Sequence, residues 1–248
     1  MNTLYVVGIG PGKPEYFTGE AMTALEAAEA VFGYTVYVDL VRSLFPDKDY
    51  QTTGMMREME RCALALESAA SGRTTALVCS GDAGVYGMAS PVLELAEQYP
   101  DVEVVVVAGV TAALSGGAVL GAPLSHDFCV ISLSDLLTPW EAIEQRLRAA
   151  ASADFAIALY NPSSKKRKDY LQKACDILLA NGKSPDTVCG FVRNIGREGE
   201  EGQVCTLEAL RTAQVDMFTT VFVGTRTTVA SNGRMVTPRG YRNREDRV

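Results

Sequence analysis

Three times within the first 112 residues, a short run rich in β-branched residues breaks into glycine. Leu4–Ile9 runs into Gly8-Ile9-Gly10-Pro11-Gly12, Thr75–Cys79 into Ser80-Gly81-Asp82-Ala83-Gly84, and Val102–Val107 into Ala108-Gly109-Val110-Thr111-Ala112. β-Branched side chains favour extended backbone, and near-continuous apolar runs mark strands buried on both faces, as in a parallel sheet. Glycine at a strand end lets the backbone approach a neighbour or ligand that a Cβ would hold away. Open α/β sheets bind ligands outside the carboxyl ends of their strands. Glycines at several strand ends therefore predict a flat, deep ligand slot rather than three unrelated turns.

Helical stretches separate these strands. Glu20–Ala30 and Arg57–Ser71 have helical periodicity, and Ser90-Pro91 reads as an N-cap followed by proline at the first helical position. Ala30–Tyr37 reads as a further strand. After Gly121-Ala122-Pro123 the pattern restarts, with strands at Phe128–Leu133, Phe155–Tyr160, Val188–Arg193 and Thr219–Val223 and helices at Pro139–Ala151 and Lys168–Asn181. This predicts an α/β protein of two lobes, residues 1–117 and 118–248, each a sheet flanked by helices, the second sheet mixed because its connections vary in character. From Val104 to Ser125 no side chain is charged, about the length of a membrane span. Gly109, Gly116, Gly117, Gly121 and Pro123 interrupt it, so strand, glycine turn and small-residue helix is the expected reading.

The net charge of -7 argues against a general nucleic-acid surface, which needs an excess of Lys and Arg. The six cysteines include no C-x-x-C pair and several lie in apolar runs, which places the chain in a reducing compartment, the cytoplasm. His126 is the only histidine. No two-histidine metal site and no Ser/His/Asp triad is therefore expected, unless His126 serves as sole base.

The first glycine loop lacks the third glycine of G-x-G-x-x-G, because Lys13 stands there, and Pro11 and Pro14 remove backbone donors that a pyrophosphate would need. It is either a ligand-facing turn or a plain one. Asp82 either faces a ligand or caps the helix that follows. Lys165-Lys166-Arg167-Lys168 precedes a helix N-terminus, where the macrodipole disfavours cations. The run is either a solvated helix start or a meeting point for an anion.

GIGPG at 8–12, SGDAGVYGMA at 80–89 and AGVTAALSGGAVLGAPL at 108–124 resemble the tetrapyrrole methylase superfamily, and the likeness covers essentially the whole chain. Within it, SLSDLLTPW at 132–140, YNPSSKKR at 160–167 and TPRGY at 237–241 resemble the branch that methylates carbon 17 and contracts the ring in cobalamin biosynthesis. Many siblings have Gly-Asp-Pro where this chain has Gly81-Asp82-Ala83, and that branch is similar to the Ala form.

The resemblance implies a homodimer of two-lobed subunits that binds S-adenosyl-L-methionine between the lobes and a tetrapyrrole, precorrin-3B or cobalt-factor III, above it. By matching motif it implies that Pro11, Ser80, Gly81 and Asp82 line the methionine and ribose side, and that Thr111 and Ala112 hold the methionine end. Tyr160 and Asn161 fall where relatives close over the adenine or sulfur, and Arg193 and Asn194 form the next wall. Methyl transfer from a sulfonium asks mainly for in-line positioning. Ring contraction also needs proton movement, for which His126, Ser132, Ser134 and Asp135 are the candidates. Substrate carboxylates would meet Lys165, Lys166, Arg167, Arg226, Arg234 and Arg239. Neither a membrane nor nucleic acid is an expected partner. The alternatives are a sibling acting at another ring carbon, a methylase of the same fold acting on protein or RNA, and a non-catalytic nucleotide-binding module.

Overall fold

The computed structural model describes residues 2–164 and 166–241. The chain forms two compact units that divide between Ala112 and Ala113.

The first unit contains β1 (Asn2–Gly8), α1 (Gly19–Ala27), β2 (Ala30–Tyr34), α2 (Thr35–Arg42), β3 (Asp49–Thr53), α3 (Glu58–Ala70), β4 (Thr75–Cys79), α4 (Ala89–Ala96) and β5 (Val102–Val107). Its five strands are all parallel, in the order β3-β2-β4-β1-β5. The period of two divides each strand between two cores. Leu4, Val6, Phe32 and Leu77 pack with Cys62, Leu66 and Val92 on one face, while Val7, Val31, Ala76 and Val78 pack with Leu25, Val38 and Val41 on the other.

Three local readings change here. The expected strand Ala30–Tyr37 ends at Tyr34, and Thr35 opens α2. Its β-branched residues imitate a strand, but Val38 and Val41 lie one turn apart and are both buried, the helical spacing. α4 begins at Ala89 with Met88 at its N-cap, so Ser90 and Pro91 sit inside the first turn. Proline is tolerated there because first-turn N–H groups have no intrahelical partner. β3 went unread because Asp49–Thr53 is polar and mostly exposed, as an edge strand can be.

The second unit contains α5 (Ala112–Leu120, which starts at the division), β6 (Gly121–Ala122), β7 (Phe128–Ser132), α6 (Trp140–Ser152), β8 (Ala156–Tyr160), α7 (Tyr170–Ala180), β9 (Val188–Arg193), β10 (Glu201–Thr206), α8 (Leu207–Leu210), β11 (Thr219–Val223), β12 (Val229–Ser231) and β13 (Arg234–Val236). The expected boundary at 117/118 falls inside α5. The main sheet is mixed, in the order β10-β9-β11-β8-β7, with only β7 and β8 parallel. β12, β13 and β6 form a small second sheet.

Ile157, Leu159, Phe191 and Val221 pack on one face of the main sheet against Leu147, Leu171 and Leu178. α5 covers the other. A Cβ on Gly116 would meet Ile195 Cδ1 at 2.8 Å and the Phe222 ring at 3.0 Å, and one on Gly190 would meet Leu120 Cδ1 at 2.8 Å. Glycine here sets how closely the helix lies on the sheet. The uncharged stretch from Val104 to Ser125 is divided among β5, α5 and β6, and no helix among the described residues is long and apolar enough to cross a membrane.

Candidate functional site

In the first unit the glycine loops follow β4, β1 and β5, which are adjacent in the sheet, so all three lie at one carboxyl edge. They are bonded to one another. Gly10 N–H donates to Gly81 O at 3.0 Å, and Gly81 N–H donates to Gly10 O at 2.7 Å. Both glycines have a φ of +70°, which L side chains rarely adopt. A Cβ on Gly109 would lie 2.2 Å from Gly81 O, and one on Gly8 would lie 2.8 Å from it, so the loops touch backbone to backbone.

Asp82 ties this edge together. Its Oδ1 accepts from the Gly84 and Val85 N–H groups at 2.8 and 3.1 Å, and its Oδ2 accepts from Gly109 N–H at 2.9 Å. The cap it makes is on its own loop and on the loop after β5, not on α4. Ser80 Oγ lies 3.4 Å from Gly10 O, and Pro11 is buried. Thr111 Cα and Ala112 N stand 3.8 and 4.0 Å from where a Gly81 Cβ would be, so these residues face each other across a small gap.

In the second unit, residues at the carboxyl ends of the parallel pair β7 and β8 converge. Asn161, with a φ of +53°, donates from Nδ2 to Ser132 Oγ at 2.9 Å, and Ser134 N–H reaches the same oxygen at 3.2 Å. Arg167 Nη1 donates to Ser134 Oγ at 2.8 Å and to Asp135 Oδ1 at 3.0 Å, and Tyr170 Oη donates to Asp135 Oδ2 at 2.6 Å. The Tyr170 hydroxyl, reinforced by Arg167, holds the Asp135 carboxyl below its ordinary range, and the same bond pushes the Tyr170 phenol up. Asp135 is thus ionised and engaged at both oxygens. Tyr160 Oη accepts from Ala113 N–H at 2.7 Å, which fixes the start of α5 on β8.

Several expected residues are not part of this cluster. Arg193 follows Phe191 by two positions and so shares its face of the sheet, opposite the one on which Tyr160 meets α5. Its Nη2 donates to Gln214 O at 2.9 Å, its enclosed Nε lacks a hydrogen-bond partner among the described residues, and with Gln203 and Gln214 it lines a cavity of about 260 Å³. Asn194 has a φ of +52° and donates its N–H to Phe218 O. Arg226 lies at the opposite end of the sheet, bonded through its N–H and Nε to Asp154. Arg234 is exposed on β13, and Arg239 is exposed with its guanidinium 5.8 Å from the Tyr241 ring centre. His126 Nε2 lies 2.9 Å from Pro238 O. Lys166 is exposed, and Lys165 lies outside the described residues.

Sequence reading missed Tyr170, an ordinary aromatic at a helix start with nothing beside it in sequence to mark its partner 35 residues away. It also read Asp82 without its bond to Gly109, which only the sheet order creates.

An all-parallel sheet with glycine loops at one edge, joined to a mixed sheet with a polar edge of its own, defines a two-unit α/β enzyme of the methyltransferase type. The chain belongs to the tetrapyrrole methylase family: the model of the Tetrapyrrole (Corrin/Porphyrin) Methylases matches residues 3–211. It is 51% identical to a "Probable cobalt-factor III C(17)-methyltransferase" of Salmonella typhimurium, over 96% of this chain and 99% of that protein. The crystal structure of the methyltransferase CobJ matches with a TM-score of 0.85 and 38% identity, over 95% of this chain and 98% of that one. A uroporphyrin-III C-methyl transferase from Thermus thermophilus, solved with S-adenyl homocysteine, matches with a TM-score of 0.71 and 25% identity, over 90% of this chain and 97% of that one.

Proposed function

We propose that this methyltransferase transfers a methyl group from S-adenosyl-L-methionine to carbon 17 of cobalt-factor III, or of its metal-free counterpart precorrin-3B, with contraction of the tetrapyrrole ring. The observation that carries the reading is the 51% identity, spanning nearly the full length of both chains, to a relative named for that reaction on cobalt-factor III. The polar edge of β7 and β8 supports it, because two of the three sequence segments that mark this branch, 132–140 and 160–167, supply Ser132, Ser134, Asp135, Asn161 and Arg167, each of which shares a hydrogen bond with another of the set in the second unit.

The first unit's edge fits the donor. A nucleoside joined to an amino acid asks for backbone groups, hydroxyls and at most one carboxylate, and Ser80, Thr111, Asp82 and the Gly10–Gly81 backbone supply that set. Pro11, Ser80, Gly81, Asp82, Thr111 and Ala112 would hold it. The donor brings an electrophilic methyl on a sulfonium sulfur. The loops would hold the donor in one orientation, and methyl transfer from a sulfonium is catalysed mainly by such positioning. Asp82 shapes the loop through the N–H groups it binds. In the second unit Ser132 and Ser134 present hydroxyls for the proton transfers of contraction, and Arg167 and Lys166 present cations to substrate carboxylates. The six cysteines, all of them free thiols, support a cytoplasmic setting, and the protein acts as a homodimer.

The test is incubation of the full chain with methyl-labelled S-adenosyl-L-methionine and cobalt-factor III or precorrin-3B, followed by mass and absorbance of the product. Gain of one methyl with a lactone-bearing contracted ring supports the reading. Gain of a methyl without contraction assigns a sibling reaction, and no transfer to either substrate overturns it. Light scattering tests the dimer.

A further inference from the structure

The bonds joining Asp135, Arg167 and Tyr170 close a ring through the chain. Asp135 lies between β7 and α6, and Arg167 between β8 and α7. Tyr170 is the first residue of α7 and Trp140 the first of α6. Trp140 and Tyr170 stack with centroids 4.5 Å apart and planes tilted by 50°. Two connecting segments are therefore fastened to each other at the starts of the helices they lead into, by a carboxylate on one side and an aromatic pair on the other. Arg167 Nε is also taken, donating to Ser164 Oγ at 3.1 Å.

What this ring holds still is surface. Leu136 and Leu137, directly after Asp135, are 64% and 98% exposed. Apolar side chains displayed on a well-bonded segment serve no core, but they suit a ligand with an apolar face. Beside them Arg167 keeps one edge of its guanidinium, Nη2, that no hydrogen bond engages among the described residues. A guanidinium fixed through two of its nitrogens loses little freedom when the third binds, so affinity is not spent on ordering it.

We propose that Asp135 and Tyr170 are positioning residues, which hold the Arg167 guanidinium so that its Nη2 edge receives a carboxylate of the tetrapyrrole while Leu136 and Leu137 lie against the macrocycle. The assignment rests on the tetrapyrrole reading above. It gives Asp135 a task different from acid or base catalysis, since a carboxylate bonded at both oxygens neither gives nor takes a proton readily.

Tyr170→Phe removes only the hydroxyl and leaves the ring on Trp140. Trp140 is the only tryptophan of the chain, so its emission reports directly whether the stack survives. With whichever of cobalt-factor III and precorrin-3B the wild-type enzyme turns over, the variant should raise the tetrapyrrole KM about tenfold, the scale of one charge-assisted hydrogen bond. Its kcat should stay within about twofold and its donor KM should not move. Asp135→Asn should give the same split, and it carries the test if Tyr170→Phe fails to fold. In an Arg167→Ala background Tyr170→Phe should add nothing further, because Tyr170 acts through Arg167. An unchanged tetrapyrrole KM, a loss confined to kcat, or a full additional rise on Arg167→Ala would each overturn the assignment. A wild-type enzyme inactive on both tetrapyrroles would instead remove the functional reading, and this inference with it.

Discussion

Asp82 places three backbone N–H groups on one side chain, so both of its oxygens do structural work before any ligand arrives. Asp82→Ala strands those donors in a partly buried loop, and at about 1 kcal/mol each the protein should lose roughly 2–3 kcal/mol. Affinity for S-adenosylhomocysteine should fall with it, because the loop that carries Ser80 and Gly81 relaxes. Calorimetry beside thermal melting checks both, and intact affinity in a less stable variant would leave Asp82 a structural cap alone. The thiols behave differently. Burial pushes Cys62, Cys79 and Cys205 up to about 11 and Cys175 up to about 12, and it also raises Cys189 well above the ordinary thiol value. A thiol reagent at pH 8 should therefore leave Cys62, Cys79, Cys175 and Cys189 unlabelled in the native protein, with slow reaction at the half-buried Cys129 and Cys205, readable by mass. At this scale sequence identifies residue types better than partners. Ser132, Ser134 and Asp135 stand out as a polar cluster after a strand, yet nothing in the chain joins Asp135 to Tyr170 or separates Arg226 from Arg167. Those relations arise from which strands become neighbours and in which direction they run.

Among elements, the close approach of β1, β4 and β5 at their carboxyl ends depends on Gly8, Gly81 and Gly109. Gly109→Ala sets a methyl 2.2 Å from Gly81 O and 2.6 Å from the Gly8 carbonyl, against backbone that cannot swing aside. The variant should lose about 1–3 kcal/mol to overpacking, read by denaturant titration, together with S-adenosylhomocysteine binding. The second unit has its own knot at the opposite end of β8. The buried Lys183 ammonium donates to Asp154 Oδ1 at 2.9 Å, Phe155 O at 3.0 Å and Gly224 O at 2.8 Å, tying β8 to the end of β11. Burial pushes the Asp154 carboxyl up, but bonds from Lys183 and from Arg226 outweigh it and hold the group below its ordinary range. A lowered carboxylate adds stability above its unfolded value, about pH 3.9, and loses it as pH falls through the folded one. Lys183→Met should cost about 3–5 kcal/mol near neutral pH. The gap in Tm between wild type and variant should then narrow below about pH 4, and a constant gap down to pH 2 would show that Asp154 does not carry it. The fold itself was legible where burial imposes a pattern: Thr75–Cys79, Val102–Val107, Val188–Arg193 and Thr219–Val223 are strands over the expected residues. β3 and β10, at the edges of their sheets, and the short β12 and β13 bury too little to leave such a pattern. α2 imitates a strand because Thr35 to Val38 are consecutive strand-forming residues, while the helical spacing shows only in the buried pair Val38 and Val41.

For the whole molecule the governing quantity is charge. A chain of net charge -7 repels a polycarboxylated macrocycle at long range, so capture depends on cations gathered at one place. In the second unit two groups of cations stand at opposite ends of the main sheet. Lys166 and Lys168 are exposed beside the bonded Arg167, next to the carboxyl ends of β7 and β8. Arg226 stands at the other end, near the start of β8, and it spends its N–H and Nε on Asp154. This division separates attraction from stability. The double reversal Lys166→Glu, Lys168→Glu should raise the tetrapyrrole KM several-fold at low salt, with the effect shrinking as ionic strength approaches about 0.5 M and screening shortens its reach. The melting temperature should hardly move, since exposed charges away from a partner contribute little to folding. Arg226→Glu should do the reverse, setting a second carboxylate against Asp154, lowering the Tm and leaving the tetrapyrrole KM within about twofold. Steady-state kinetics at two salt concentrations, run beside thermal melts of the same variants, separates the two. If Arg226→Glu raises the KM as much as the double reversal does, the macrocycle's carboxylates are drawn to both ends of the sheet, and the edge of β7 and β8 is not their particular seat.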